Sequence, residues 1–216
     1  LREKGMMPSK KSVTGDYFKA MADYRVWLMF VIYGACFGVE LLINGSIALY
    51  FVDYFGYFKD MPLAEAAVTA GLIASLFGLM NIFARTLGGI FGDNFASLWG
   101  LRGRTSWLFI VLLAEGLALM LFSQMPILLL AIPTLIIFSL CTQMSEGATY
   151  SVVPFVNKKA LGAVAGVVGA GGNAGAVLGG FLLKSEAYNS RWDEAYFLIG
   201  IIVTAVAFLA LFIRFS

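Results

Sequence analysis

Six apolar runs constrain the fold of this chain more than any other feature of its sequence. A helix that spans a bilayer needs roughly 20 apolar residues. Runs of this kind lie at about residues 25–52, 65–92, 105–124, 126–152, 160–183 and 194–215. Hydrophobic residues make up 60% of the chain and charged residues 13%, which leaves too little polar sequence to coat a soluble domain. We predict an all-α, polytopic membrane protein with a basic segment over residues 1–24 and a six-helix transmembrane bundle over 25–216.

The basic residues predict how the bundle is oriented, because lysine and arginine concentrate on the cytoplasmic side of a membrane. One side carries Arg2, Lys4, Lys10, Lys11, Lys19, Arg25, Arg102, Arg104, Lys158, Lys159 and Arg214, and the other carries only Lys59, Lys184 and Arg191. We therefore expect both termini to be cytoplasmic. The net charge of +2 follows from this asymmetry and does not indicate a nucleic-acid partner. Because the chain does not begin with methionine, we interpret residues 1–24 as a central loop of a longer protein.

Several chemistries are disfavoured by what the sequence lacks. It contains no histidine, which removes histidine-based catalysis and most zinc sites. It has no Walker loop and no nucleophile–base pair. Cys36 and Cys141 both fall within apolar runs, so a structural disulfide is not indicated. We expect no metal, no cofactor and no enzymatic activity.

Four ionisable residues lie inside the apolar runs, namely Glu40, Arg85, Glu115 and Glu146. A charge at the centre of a bilayer costs about 2.5–3.5 kcal/mol on insertion scales, so these side chains must face protein or water. Two of them belong to polar stripes with helical spacing. The stripes are Tyr33, Phe37, Glu40 and Asn44 in the first run, and Ser139, Gln143, Glu146 and Tyr150 in the fourth. Either stripe fits a ligand-lined surface or a hydrogen-bonded contact between helices.

Arg85 is the most informative of the four, because its guanidinium stays protonated and requires an anion. The anion is either a structural partner, Glu40 or Glu146, or a bound substrate. Small neighbours at Gly78, Gly88 and Gly92 leave room and favour a substrate. Glu115 has no polar stripe, and we assign it no role.

The fifth run, AGVVGAGGNAGAVLGG over residues 165–180, is unusually rich in glycine. Glycine costs a helix about 1 kcal/mol relative to alanine, so a structural reason is needed. Small residues recur at helical spacing at Gly162, Gly166, Gly169, Asn173, Ala176 and Gly180. This seam fits close helix packing, movement between helices, or access of a small ligand to the backbone.

Four stretches resemble the carboxy-terminal half of the nitrate/nitrite porter family of the major facilitator superfamily. They are YGACFGVELLIN (33–44), GLMNIFARTLGGIFGD (78–93), SEGATYSVVPFV (145–156) and GVVGAGGNAGAVLGG (166–180). They are similar to the family's seventh, eighth, tenth and eleventh helices. The resemblance implies that the six helices form half of a twelve-helix fold.

The same resemblance implies roles for individual residues. Arg85 would hold the anion, Tyr33 and Phe37 would line the pocket, and Asn173 with Gly171 and Gly172 would form the family's glycine-rich signature. Gly89, Asp93, Arg102 and Arg104 resemble the superfamily's cytoplasmic gating loop. The residues NFASLWGL, which separate Asp93 from Arg102, depart from that pattern.

The function implied is secondary active transport of nitrate, or nitrite, by alternating access in the plasma membrane. Glu40 and Glu146 are candidate proton carriers, because an anion that enters against an inside-negative potential needs a coupling ion. The expected partners are nitrate or nitrite, protons, the lipid bilayer, the missing amino-terminal six helices and an accessory subunit. Nitrate/nitrite exchange and a non-transporting sensor stay open as alternatives, and no channel filter is evident.

Overall fold

Six membrane helices dominate the computed structural model, which describes residues 14–185, 188 and 191–215. Within these residues, the helices long and apolar enough to cross a membrane are Tyr24–Tyr54, Leu63–Trp99, Leu101–Ser123, Leu128–Val156, Leu161–Lys184 and Trp192–Phe212. The predicted fold class, an all-α bundle of six transmembrane helices, is confirmed. Residues 1–13 of the predicted basic segment lie outside the described residues.

Short connections make successive membrane helices antiparallel. The α-helices are α1 (Thr14–Met21), α2 (Tyr24–Tyr54), α3 (Leu63–Leu79), α4 (Ala84–Trp99), α5 (Leu101–Ser123), α6 (Leu128–Val156), α7 (Leu161–Lys184) and α8 (Trp192–Ala207). A 3₁₀ turn at Met80–Ile82 joins α3 to α4, and another at Phe208–Phe212 extends α8. The start of α2 and the end of the Phe208–Phe212 turn therefore lie at the same end of the bundle.

The most intimate helix contact joins α2 to α7, and glycines on both helices make it possible. A Cβ atom on Gly171 would overlap the Phe30 carbonyl, and one on Gly175 would overlap the Gly34 carbonyl. A Cβ atom on Gly38 would lie 2.9 Å from the Gly172 oxygen. The two backbones touch directly, as small-residue packing in membranes allows.

This contact excludes one interpretation of the predicted seam of α7, namely close packing within this bundle, at three of its positions. Gly162, Gly166 and Gly180 have open space where a Cβ atom would lie, so they do not form the packed face. Val164 and Val168 of the same helix are buried instead. Glycines occur on both faces of α7, and the small residues of α2 decide which face packs.

A second close contact joins α4 to α6. A Cβ atom on Gly88 would overlap the backbone of Met144, and one on Gly147 would overlap the Arg85 carbonyl. The glycine at position 88 therefore admits α6 and does not leave room for a ligand. The backbone at Arg85 therefore lies directly against α6.

The second apolar run, predicted as one helix over 65–92, is broken between α3 and α4. The 3₁₀ turn and the φ of −130° at Phe83 mark the break, although no proline lies in this run. The Ser139 hydroxyl of α6 donates a hydrogen bond of 2.6 Å to the Phe77 carbonyl near the end of α3. Backbone groups exposed by an interrupted helix must find partners in the protein, and Ser139 provides one. The break brings Asn81 and Arg85 to the interior of the bundle.

Candidate functional site

Two carboxylates from different helices meet Arg85. Its Nη2 donates to Glu40 Oε2 at 3.0 Å and also forms an ion pair with Glu146. The ion pair that the sequence left open is present, and it involves both acids. The carboxylate side chains are 5% and 0% exposed, whereas the Arg85 side chain is 39% exposed. The guanidinium is therefore anchored on one side and accessible on another.

Amide groups fix the orientation of Glu40. Its Oε1 accepts hydrogen bonds from Gln143 Nε2 at 2.9 Å and from Asn81 Nδ2 at 3.1 Å. Gln143 Oε1 accepts in turn from Arg85 Nη2 at 3.4 Å. The network joins α2, the break before α4, and α6, so the relative positions of these helices determine the site.

The charge of this cluster depends on protons. Two ionised carboxylates and one guanidinium sum to a net charge of −1, which is costly in a membrane interior. One bound proton makes the cluster neutral, and two make it cationic. Only the doubly protonated cluster complements a monovalent anion.

Aromatic rings extend the site from Arg85 towards α7. The Arg85 guanidinium lies 5.9 Å from the centroid of the Phe37 ring, and Phe37 stacks on Tyr33 at 5.1 Å. Tyr150 of α6 meets Tyr33 edge-on at 5.0 Å. Rings exclude water around a guanidinium and attract its charge. Arg85, Phe37, Tyr33 and Tyr150 therefore form a continuous cluster, in which Tyr33 is buried and the other three are partly exposed, and we call it the Arg85 surface.

The glycine-rich stretch meets the Arg85 surface through its glycines. Gly172 is buried against the rings of Phe37 and Tyr33, and Gly171 is buried against the Phe30 backbone. Asn173 is exposed, and its Nδ2 donates a long hydrogen bond of 3.5 Å to the Gly169 carbonyl. The packing accounts for both glycines, and their predicted contacts with substrate stay a prediction, as does that of Asn173.

The predicted gating residues lie in three places. Asp93 and Arg104 form an ion pair of 2.5 Å, and Arg104 Nη1 donates to the Ser151 carbonyl at 3.3 Å. Gly89 lies near Gly147 in the contact between α4 and α6. Arg102 instead lines a separate cleft with Arg25 and Arg214. The pair ties α4, α5 and α6 together, whereas Arg102 takes no part in it.

Sequence reasoning missed two features of the site. Gly147, whose lack of a side chain admits the Arg85 backbone, has no signal in the sequence beyond its neighbour Glu146. Glu115 is fully buried in α5 and faces the hydroxyls of Thr142 and Ser145 in α6. These two hydroxyl residues lie one position away from the polar stripe of α6, so the stripe alone does not reveal them. Within the described ranges, no group of three side chains is arranged to hold a metal ion.

Comparisons with known proteins give relatives of one kind. No family model matches the chain. It is 44% identical over 156 residues to the high affinity nitrate transporter 2.5 of Arabidopsis thaliana, and this alignment covers 72% of this chain and 30% of the relative. It is 36% identical over 179 residues to the nitrate transporter 2.2 of Chlamydomonas reinhardtii, with 82% of this chain and 33% of the relative aligned. It is 29% identical over 214 residues to the probable nitrate/nitrite antiporter NarK1 of Thermus thermophilus, with 90% of this chain and 45% of the relative aligned. The chain thus spans about a third of the length of the first two relatives.

Proposed function

The chain is a homologue of part of the nitrate/nitrite porters of the major facilitator superfamily, and from this premise we propose that it is the carboxy-terminal six-helix half of a nitrate transporter. The observation that carries the proposal is a partly exposed guanidinium, Arg85, set beside aromatic rings and two buried carboxylates. The names of the relatives support nitrate as the substrate class. Nitrite, which is also a small planar anion, fits the same groups.

Nitrate is planar, carries one charge and is weakly hydrated. A guanidinium can donate two parallel hydrogen bonds to such an anion, and aromatic walls accept a poorly hydrated ion. Every hydrogen bond and ion pair described for Arg85 uses Nη2. Both edges from which a guanidinium donates two parallel bonds include Nη2. Nitrate therefore binds in this manner only when the carboxylates release that nitrogen.

Protonation of Glu40 and Glu146 supplies this release, and it links the anion to protons. A neutral carboxyl attracts the guanidinium far less than a carboxylate does. Moving one negative charge inward costs about 2.3 kcal/mol per 100 mV of inside-negative potential. Entry with two protons per anion turns this cost into a gain. We assign proton symport on this ground, with Glu40 and Glu146 as the carriers.

Alternating access provides the movement in this proposal. The Asp93–Arg104 pair lies at the end of the bundle that the basic residues predict to be cytoplasmic, where it can hold α4, α5 and α6 together in one conformation. The six helices outside this chain supply the other wall of the site. The proposal includes a plasma-membrane location, with both ends of this segment on the cytoplasmic side.

The first test is voltage clamp on the complete transporter, with nitrate added outside at two pH values. We expect an inward current that grows in acid. R85K keeps the charge but loses the planar fork, so it should weaken apparent nitrate affinity at least about tenfold. R191K, at an exposed arginine near the opposite end of the bundle, is the matched control and should match the wild type. Equal affinity in R85K and wild type would refute the role of Arg85.

Exchange of nitrate for nitrite is the second candidate, and the likeness to the probable nitrate/nitrite antiporter NarK1 favours it. Exchange of two monovalent anions moves no net charge. Uptake of labelled nitrate that needs internal nitrite and gives no current would replace symport with exchange. Nitrate binding without flux or current would mean that the protein is a nitrate sensor and not a transporter.

A further inference from the structure

A basic cleft lies at the end of the bundle where α2 and α5 begin and where the chain emerges from the Phe208–Phe212 turn. Its volume is about 910 Å³, and Arg25, Arg102 and Arg214 line it together with Asp23. These side chains give the cleft a net charge of +2. The cleft is separate from the Arg85 surface, with which it shares no lining residue.

Two of the three arginines are available to a ligand. Arg25 is held by Asp23, through Nε to Oδ1 at 2.9 Å and Nη2 to Oδ2 at 2.6 Å, and it also donates to the Val156 carbonyl. Arg102 and Arg214 are exposed, and among residues 14–185, 188 and 191–215 no hydrogen bond or ion pair is described for the guanidinium group of either. Two unneutralised guanidinium groups on one cleft attract an anion, and each can bind phosphate with two parallel hydrogen bonds.

The apolar residues of the lining indicate which kind of anion the cleft binds. Leu211, Ile213 and Phe215 form one wall, and the Tyr24 hydroxyl donates to the Phe212 carbonyl at 3.3 Å beside it. A free phosphate ion would leave this wall uncovered. A phospholipid offers a phosphate to the arginines and acyl carbons to the wall. The cleft also lies at the end of the apolar helices, which is the depth at which headgroups are found.

We infer that this cleft binds the headgroup of an anionic phospholipid, and that Arg102 and Arg214 are the ligands of its phosphate. The inference does not depend on the transported substrate, because it uses only the lining of the cleft and its position relative to the membrane. It also separates Arg102 from Arg104, which is occupied by Asp93.

The test measures thermal unfolding of the complete purified protein in detergent during titration with dioctanoyl phosphatidic acid. Dioctanoyl phosphatidylcholine and inorganic phosphate are titrated in parallel. We expect phosphatidic acid to raise the unfolding midpoint of the wild type, with little effect of the other two. Each basic residue near an anionic lipid contributes about fivefold in affinity, so R102Q/R214Q should bind phosphatidic acid roughly 25-fold more weakly.

The matched control is K59Q/K184Q, which removes the same charge from the opposite end of the bundle and should titrate like the wild type. Single variants R102Q and R214Q, each expected to weaken binding about fivefold, keep the test decisive if the double variant does not fold. The inference is overturned if phosphatidic acid binds R102Q/R214Q as tightly as wild type, or if phosphatidylcholine acts equally. It is also overturned if inorganic phosphate binds as tightly as the lipid, since the cleft would then be a site for free anions.

Discussion

One nitrogen of Arg85, Nη2, contacts both carboxylates of the site. Glu40 and Glu146 come from α2 and α6, and each competes with any anion for Nη2. A carboxylate as buried as those of Glu40 and Glu146 cannot leave the guanidinium while it stays ionised, because an unpaired carboxylate in the interior is costly. In the proposed symport, proton binding and anion binding are therefore coupled through a single atom.

This coupling predicts the behaviour of E40Q and E146Q. Glutamine has nearly the same shape as a protonated glutamic acid, so each variant should still take up nitrate at acidic pH. Each should respond less steeply to acid than the wild type, because one of the two proposed proton carriers is gone. The measurement is uptake of labelled nitrate from pH 5 to pH 8 by the complete transporter.

E194Q provides the control for that experiment. Glu194 pairs with Arg191 on an exposed surface, so its neutral variant should keep the pH profile of the wild type. A full acid response in both E40Q and E146Q would remove these residues from the proton pathway.

Residue spacing predicted much of this site. The stripes in α2 and α6 place Glu40, Gln143 and Glu146 where the structure has them in contact with Arg85. Spacing within one helix says nothing about the distance between two helices, however. That distance is determined here by Gly88 and Gly147, so the simultaneous contact of both acids with one nitrogen could not be read from either stripe.

At the scale of the helices, the contact between α2 and α7 depends on glycine at particular positions. G175A would press a methyl group into the Gly34 backbone, and we expect overpacking to cost about 1–3 kcal/mol. G166A, on the same helix but with open space at its Cβ position, is the matched control and should cost nothing, since alanine favours helix. Thermal unfolding of the purified protein compares the two. Equal unfolding midpoints for G175A and G166A would show that the α2–α7 contact accommodates the added methyl group without loss of stability.

The face of α7 that packs was the least predictable part of the fold. Glycines occur around most of its circumference, so the spacing of small residues fits more than one face. Only Gly34 and Gly38 of α2, which face Gly171 and Gly175, select between them. The break between α3 and α4 was equally hidden, because no proline marks it and its stabilising partner, Ser139, lies on another helix.

The start of α2 predicts a pH dependence. Asp23 caps this helix by accepting from the Arg25 backbone N–H at 2.9 Å. Side-chain hydrogen bonds from Arg25 hold the pKa of Asp23 below its ordinary value. Its stabilisation is complete above about pH 4, near the pKa of the unfolded chain, and is lost as the pH falls further.

The corresponding variant is D23A. We expect it to lower the free energy of unfolding by about 0.5–2 kcal/mol at neutral pH, as for other helix caps. The difference from wild type should shrink between pH 4 and pH 2. Thermal unfolding at a series of pH values measures it, and a difference that persists unchanged at pH 2 would exclude the carboxylate as its cause.

At the scale of the whole molecule, the Arg85 surface lies on an open side of the bundle. Arg85 is 39% and Tyr150 40% exposed, and Asn173, Gly162 and Gly166 of α7 are also exposed. Polar and small groups of this kind are poor contacts for lipid, because the hydrocarbon offers no hydrogen-bond partners. The chain also spans only about a third of its first two relatives. The half-transporter proposed above predicts that its remaining helices cover this side.

This expectation separates membrane insertion from transport. Residues 1–216 expressed alone should insert, because the six apolar helices suffice for insertion, but they should take up no nitrate, because one wall of the site is missing. Expression together with the remainder of the complete protein, as a separate chain, should restore uptake if the two pieces associate. Labelled nitrate uptake in cells that lack their own transporter measures both cases, with membrane fractionation to confirm equal insertion. Uptake by residues 1–216 alone would mean that six helices complete the pathway, and the half-transporter proposal would then be wrong.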